Sequence, residues 1–150
     1  MFKHILLPTD GSKLSDKAVK QGINLAKELG AKITAIYVTP DAKEYVSERY
    51  NVLPVLAAPV VSKYKKEAAA LSREILDQIG AAATAAGVEC AQVSATSDSP
   101  YEAIIKQAMK SRCDLIMMAS HGRKGLPGVL LGSETQKVLV HSKIPVLVCR

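Results

Sequence analysis

The chain has 150 residues, 48% hydrophobic and 23% charged, a globular composition that excludes a disordered or low-complexity protein and predicts one domain over 1–150. Twenty Lys and Arg against fourteen Asp and Glu leave +6, which favours anionic ligands; with one Phe, no Trp and dispersed basic residues, nucleic acid is not expected as a partner. No apolar run reaches the ~18 to 20 residues of a membrane span, and the apolar stretch at positions 5–8 is too short for a signal peptide, so no membrane partner and a cytoplasmic location are expected.

Phe2 to Pro8 is a β-rich apolar run that ends at the turn cluster Thr9-Asp10-Gly11-Ser12, a strand entering a loop. Leu14, Ala18, Gly22, Leu25, Ala26 and Leu29 then recur at helical spacing, and Gly30 closes the helix. Lys32 to Val38 is a second β-branched strand, so the first 38 residues form a strand-helix-strand unit, which implies parallel pairing through a right-handed crossover. Thr39 to Ser62, with Pro40, Pro54 and Pro59, breaks the rhythm and predicts an irregular excursion over about 39–62, with room for a short helix; it reads as a lid, a subunit contact or a locally packed surface loop.

Helical spacing returns at Tyr64, Ala68, Leu71, Ile75, Ile79 and Ala82 and stops at Gly87, and Val88 to Ala95 is a third strand. Ser99, Pro100 and Glu102 spell a capping box with proline at the first helical position, starting a helix that runs to about Ser111. Leu115 to Ala119 is a fourth strand, a glycine-rich loop follows, and a helix from about Ser133 to His141 leads into a fifth strand, Pro145 to Cys149. Five strands alternating with four helices predict a doubly wound α/β sheet. Cys90, Cys113 and Cys149 are odd in number and widely spaced, which suggests neither a disulfide framework nor a zinc site.

In such a sheet ligands bind beyond the carboxyl ends of the strands, so the loops after the first, second and fourth strands carry the candidates. After the fourth strand, Gly122, Gly125, Gly128 and Gly132 lead to a helix N-terminus, Arg123 and Lys124 add positive charge, and Ser133 and Thr135 add hydroxyls. Free backbone N–H groups and the helix dipole suit phosphate there; the alternative is a surface loop capped by Ser133, with Gln136 completing the box. The spacing is neither a Walker loop nor a Gly-x-Gly-x-x-Gly dinucleotide loop. Asp10 either accepts ribose hydroxyls or a metal, or caps the first helix. His121 either donates to a phosphate or bonds locally.

Three motifs in this order, Pro8-Thr9-Asp10-Gly11-Ser12, Ala119-Ser120-His121-Gly122-Arg123 and Leu130-Leu131-Gly132-Ser133-Glu134-Thr135, followed by Pro145-Val146-Leu147-Val148, resemble the universal stress protein family over essentially the whole chain. The resemblance implies an open parallel sheet of strand order 3-2-1-4-5, a cytoplasmic protein, and a homodimer through the closing strand 145–149, whose apolar edge is an association hazard if left open. It further implies ATP binding in one branch through Gly-x-x-Gly, nine residues, then Gly-Ser or Gly-Thr. Gly122, Gly132 and Ser133 keep that spacing, and Ala119 stands where the pattern has its first glycine.

By the same resemblance Pro8, Thr9 and Asp10 lie near ribose or a phosphate-bound metal, the Val38 backbone near the adenine edge, and Met118, Ala119, Ser120, His121 and Gly122 under sugar and phosphates. Arg123, Gly132, Ser133, Glu134 and Thr135 complete the candidate site. No catalytic residue is assigned, because no base is readable beside a nucleophile. No protein-built metal site is expected either, so Mg²⁺ or Mn²⁺ would arrive with the nucleotide. The leading expectation is an ATP-binding stress-response module; the alternatives are a nucleotide-free interaction protein acting through dimerisation and a slow ATP hydrolase.

Overall fold

The structure is a computed structural model that describes residues 1–122 and 130–150. In chain order it contains β1 (His4–Thr9), α1 (Lys13–Leu29), β2 (Lys32–Thr39), α2 (Ala42–Tyr50), α3 (Ala58–Ala85), β3 (Cys90–Thr96), α4 (Pro100–Lys110), β4 (Leu115–Ala119), α5 (Ser133–His141) and β5 (Val146–Cys149). The strands form one parallel sheet ordered β3-β2-β1-β4-β5, as the sequence implied.

β1 is buried at every position, which is what a central strand covered on both faces requires. Because strand side chains alternate, adjacent residues of one strand feed two separate apolar layers. Ile5, Leu7, Ile33, Ala35, Leu115 and Met117 join one layer together with residues of α1 and α3. Leu6, Ile36, Ile116 and Met118 join the other, with Ile104 and Ala108 of α4 and Val138 of α5. Each fully buried Ile or Leu contributes about 1.5–3 kcal/mol relative to exposure, so β1 anchors both layers and holds the strand ends at a defined height.

α1 begins at Ser12, whose side chain accepts a hydrogen bond from the Ser15 N–H, and ends at Gly30 in the left-handed conformation, φ 63°, with its N–H directed to the Ala26 and Lys27 carbonyls. The excursion after β2 is more ordered than its composition suggested. Asp41 accepts from the N–H groups of Lys43 and Glu44 and starts α2, a fifth helix absent from the count of four made from periodicity. α3 starts at Ala58, earlier than the spacing from Tyr64 indicated, with Pro59 placed in its first turn where a proline fits.

At α4 the expected Ser99–Glu102 capping box is not formed. Ser99 occupies the N-cap position without a side-chain cap bond, and the Glu102 carboxylate instead accepts from the Tyr101 hydroxyl at 2.9 Å.

Candidate functional site

β1 and β4 are neighbours, yet the chain leaves β1 toward β2 on one side and β4 toward β5 on the other, so their C-terminal ends part at the switch point of the sheet. The β1–β4 register, Ile5 opposite Leu115 and Leu6 opposite Ile116, brings Thr9 level with Ala119. β2 supplies Val38, one residue beyond the Tyr37 that pairs with Thr9. Pro8, Thr9, Asp10, Val38, Met118 and Ala119 therefore gather along one edge of the sheet from three strands separated in sequence.

The loop after β1 is built from short polar side chains. Ser15 Oγ donates to Thr9 Oγ1 at 2.7 Å, Thr9 Oγ1 also accepts from the Gly11 N–H, and the Asp10 N–H reaches Ser15 Oγ at 3.3 Å. Asp10 Oδ1 accepts from the Ser12 N–H at 3.0 Å, a turn that leaves Ser12 and not Asp10 as the cap of α1, which corrects the cap reading of Asp10. The other oxygen, Oδ2, faces Gly122 so closely that a Cβ there would collide with it.

Gly132 pins the far end of the glycine-rich stretch to its near end. Its N–H donates to the Ser120 carbonyl at 2.7 Å, and a Cβ would stand 3.3 Å from His121 Cα. Neither Gly122 nor Gly132 has a positive φ, so what distinguishes glycine at these positions is close approach and not backbone conformation: a side chain would have to displace the Asp10 carboxylate at Gly122 and would crowd the His121 backbone at Gly132. Ala119, which replaces a glycine of the family pattern, is a buried strand residue without positive φ, paired with Cys149; its methyl group imposes no backbone strain.

α5 begins at Ser133, with Gly132 at the N-cap and no side-chain cap bond. The reading of Ser133 and Gln136 as a capping box is thus corrected: Gln136 Nε2 reaches back to the Leu131 carbonyl at 3.5 Å, and Ser133 is exposed. Among the described residues no side chain caps the first N–H groups of α5, whose dipole is equivalent to about half a positive charge, although Glu134 lies in its first turn. Two candidates are engaged inside the fold. Thr135 Oγ1 donates to the Ala119 carbonyl at 3.0 Å, and Glu134 accepts from the Tyr101 N–H at 2.9 Å and from Lys137 Nζ at 3.0 Å. Glu134 thereby takes the capping role at α4 that the sequence assigned to Ser99 and Glu102.

Ser120 lies between these parts: its N–H donates to the Cys149 carbonyl at 2.7 Å and its hydroxyl is 3.0 Å from His121 Nδ1. A shallow groove of about 260 Å³ runs beside it, lined by Leu14, Ser120, His121, Leu130 and Arg150. Sequence reasoning missed Leu14 and Arg150. The strand order could have found Arg150, because β5 runs parallel to β4 and its end must abut the loop after β4. Arg123 and Lys124 lie outside the described residues. Burial pushes the thiol pKa values of Cys90 and Cys149 up and that of Cys113 to about 11, so all three thiols are held protonated at neutral pH. Among the described residues no three His, Cys, Asp or Glu side chains converge as a metal cage, and no helix is long and apolar enough to cross a membrane.

Comparison with known proteins places these features in context. The model of the universal stress protein family matches residues 1–150. A universal stress protein of Methanocaldococcus jannaschii is 34% identical over 151 residues, covering 100% of this chain and 83% of its own. Among solved structures, a UspA protein of Lactobacillus plantarum superposes with a TM-score of 0.85 at 24% identity, covering 99% of this chain and 97% of its own. A universal stress protein solved in complex with cAMP superposes with a TM-score of 0.68 at 23% identity, covering 99% and 97% of the two chains.

Proposed function

The chain belongs to the universal stress protein family, and on that premise we propose that it binds an adenine nucleotide, ATP above all, across the ends of β1, β2 and β4 and acts as a cytoplasmic stress-response module. The observation that carries this reading is the convergence of the Asp10 carboxylate, the Ser120–Gly122 backbone and the N-terminus of α5 at the switch point of the sheet. A relative of the same fold, solved with cAMP, lends support to an adenine ligand.

In this reading Asp10 Oδ2 accepts a ribose hydroxyl, the Val38 backbone meets the adenine edge, and Met118 and Ala119 form the floor. Phosphate oxygens take N–H groups at the start of α5 and the exposed Ser133 hydroxyl, with charge balance from Arg123 and Arg150. A divalent cation, Mg²⁺ or Mn²⁺, would be held mainly by the phosphates with Asp10 as the one carboxylate at hand.

Mass spectrometry of ligand released from protein purified without added nucleotide, followed by calorimetric titration with ATP, AMP and cAMP, tests the reading. The parent protein is expected to bind ATP at micromolar to millimolar concentration. Gly132→Val, whose side chain would push into the His121 backbone and the phosphate path, is expected to lose at least tenfold in affinity. Absence of any binding by the parent at millimolar nucleotide would overturn the assignment.

A second reading, a nucleotide-free interaction protein acting as a homodimer through β5, is favoured by a specific observation: the Glu134 and Thr135 side chains already have partners inside the fold. The titration separates the two.

A further inference from the structure

Two hydrogen bonds fasten the first turn of α5 to the end of β4. The Gly132 N–H, at the N-cap, donates to the Ser120 carbonyl at 2.7 Å, and Thr135 Oγ1, three residues further on, donates to the Ala119 carbonyl at 3.0 Å. The two acceptors are consecutive carbonyls of the chain as it leaves β4. They are themselves held, because Ala119 pairs with Cys149 of β5 and the Ser120 N–H donates to the Cys149 carbonyl at 2.7 Å. The first clamp uses only backbone. The second depends on a side chain that is 3% exposed.

A threonine hydroxyl in a helix ordinarily returns to a carbonyl of the preceding turn. Thr135 bypasses that partner for one 16 residues away in the chain. A hydroxyl has a single proton, and the Ala119 carbonyl takes it, so only acceptor lone pairs remain on Oγ1. Those lone pairs cannot serve a phosphate oxygen, which is an acceptor as well. Ser133, two residues earlier, is exposed.

We propose that Thr135 is a positioning residue of the nucleotide site: by holding the first turn of α5 against the end of β4 it fixes the direction of that turn's N–H groups, and with it the affinity for the phosphate end of the nucleotide. The inference rests on the nucleotide reading above and adds to it a side chain that touches no ligand atom. The physical gain is preorganisation, since N–H groups aimed before binding need not be ordered when the phosphates arrive. Glu134 supports the same turn from the side through the Tyr101 N–H of α4 at 2.9 Å. Its carboxylate also brings a negative charge to the turn, so Thr135 is the position at which geometry is tested without a change of charge.

Thr135→Val keeps the branched shape and removes the donor, whereas Thr135→Ser keeps the donor and removes the methyl group. Thr34→Val is the control: it removes another buried hydroxyl, 2.8 Å from His4 Nε2 at the opposite end of the sheet. Calorimetric titration of each full chain with ATP, and NMR titration with adenosine, separate the phosphates from the nucleoside. Thr135→Val is expected to lose about tenfold in ATP affinity while adenosine affinity stays within about twofold of the parent. Thr135→Ser is expected to recover most of the ATP affinity, and Thr34→Val to bind both ligands as the parent does although its melting temperature falls. Should valine prevent folding, Thr135→Ala makes the same comparison. Amide hydrogen exchange of the ligand-free protein gives a readout that needs no nucleotide. Exchange at Gly132 and at Gln136, whose N–H donates to the Gly132 carbonyl at 3.0 Å, is expected to speed up in Thr135→Val and not in Thr34→Val. A parent that binds ATP beside a Thr135→Val that binds it equally well overturns this inference alone, as does a loss shared equally by ATP and adenosine, or unchanged exchange at Gly132 and Gln136. A parent that binds neither ligand overturns the nucleotide reading and this inference with it.

Discussion

Single residues of this protein are chosen for what stands next to them more than for their own conformation. Gly122 and Gly132 look from sequence like a loop that needs free dihedral angles, yet their shared property is contact, with the Asp10 carboxylate in one case and the His121 backbone in the other. His4 makes the same point at the opposite end of the sheet. Its Nε2 lies 2.8 Å from Thr34 Oγ1, and burial first, then the charge of Lys32, holds its pKa below the ordinary histidine value, against the opposing influence of Asp114, the Ser111 backbone and Glu89. The folded state thus favours neutral His4, whereas the unfolded chain takes the proton near pH 6.5, so stability falls as the pH drops through that value. Asp114 acts at lower pH. Burial pushes its pKa up, but the N–H groups of His4 and Lys3 more than offset this and hold it low, so its contribution is lost only in acid. Melting temperatures between pH 7 and pH 5 are expected to fall less for His4→Gln than for the parent, by up to about 1.4 kcal/mol of stability per pH unit.

Among the elements, helix starts separate local from tertiary control. Ser12 and Asp41 cap α1 and α2 with their own side chains, and both helices begin within a residue or two of them. α4 has the stronger sequence signal in Ser99, Pro100 and Glu102, but its first turn is tied to α5 through Glu134. Glu134→Ala is expected to cost about 0.5–2 kcal/mol in denaturant unfolding, because it removes that cap and the Lys137 pair. Ser99→Ala is expected to stay within about 0.5 kcal/mol, because its side chain makes no cap bond. Equal costs would show that the local signal still governs the start of α4. The fifth helix illustrates the reverse error: α2 buries only Ala42 and Val46 on an otherwise polar surface, so its periodicity is too faint to read, and the Asp41 cap was the signal that could have revealed it.

For the whole molecule the open question is assembly. The sheet ends in two unpaired edges, β3 and β5, and β5 presents Leu147 at 42% exposure on a short, largely apolar strand. Such an edge pairs with another strand unless something blunts it. A homodimer through β5 is accordingly expected in light scattering, and Leu147→Lys is expected to shift it toward monomer by at least tenfold in dissociation constant, with the melting temperature of the monomer little changed. A dimer unaffected by that change would place the contact elsewhere.

The five strands and four of the five helices were legible because strand and helix periods are local properties, repeated along the chain at Ile5, Ile33 and Leu115 or at Ala18 and Ala26. The family motifs likewise named residues that the fold brings together, since Asp10, Gly122 and Gly132 meet at one edge of the sheet. Which group caps which helix, that Thr135 and Glu134 have partners inside the fold, and that Arg150 stands beside Ser120 were not legible. Each of these contacts joins residues far apart in the chain, for example Tyr101 with Glu134. Their partners are set by the order in which strands pack and not by any neighbour in sequence. Local chemistry determined the elements and the candidate site; only tertiary packing decided what each polar group in that site is bonded to, because a hydrogen bond is satisfied by whichever partner the fold brings within reach.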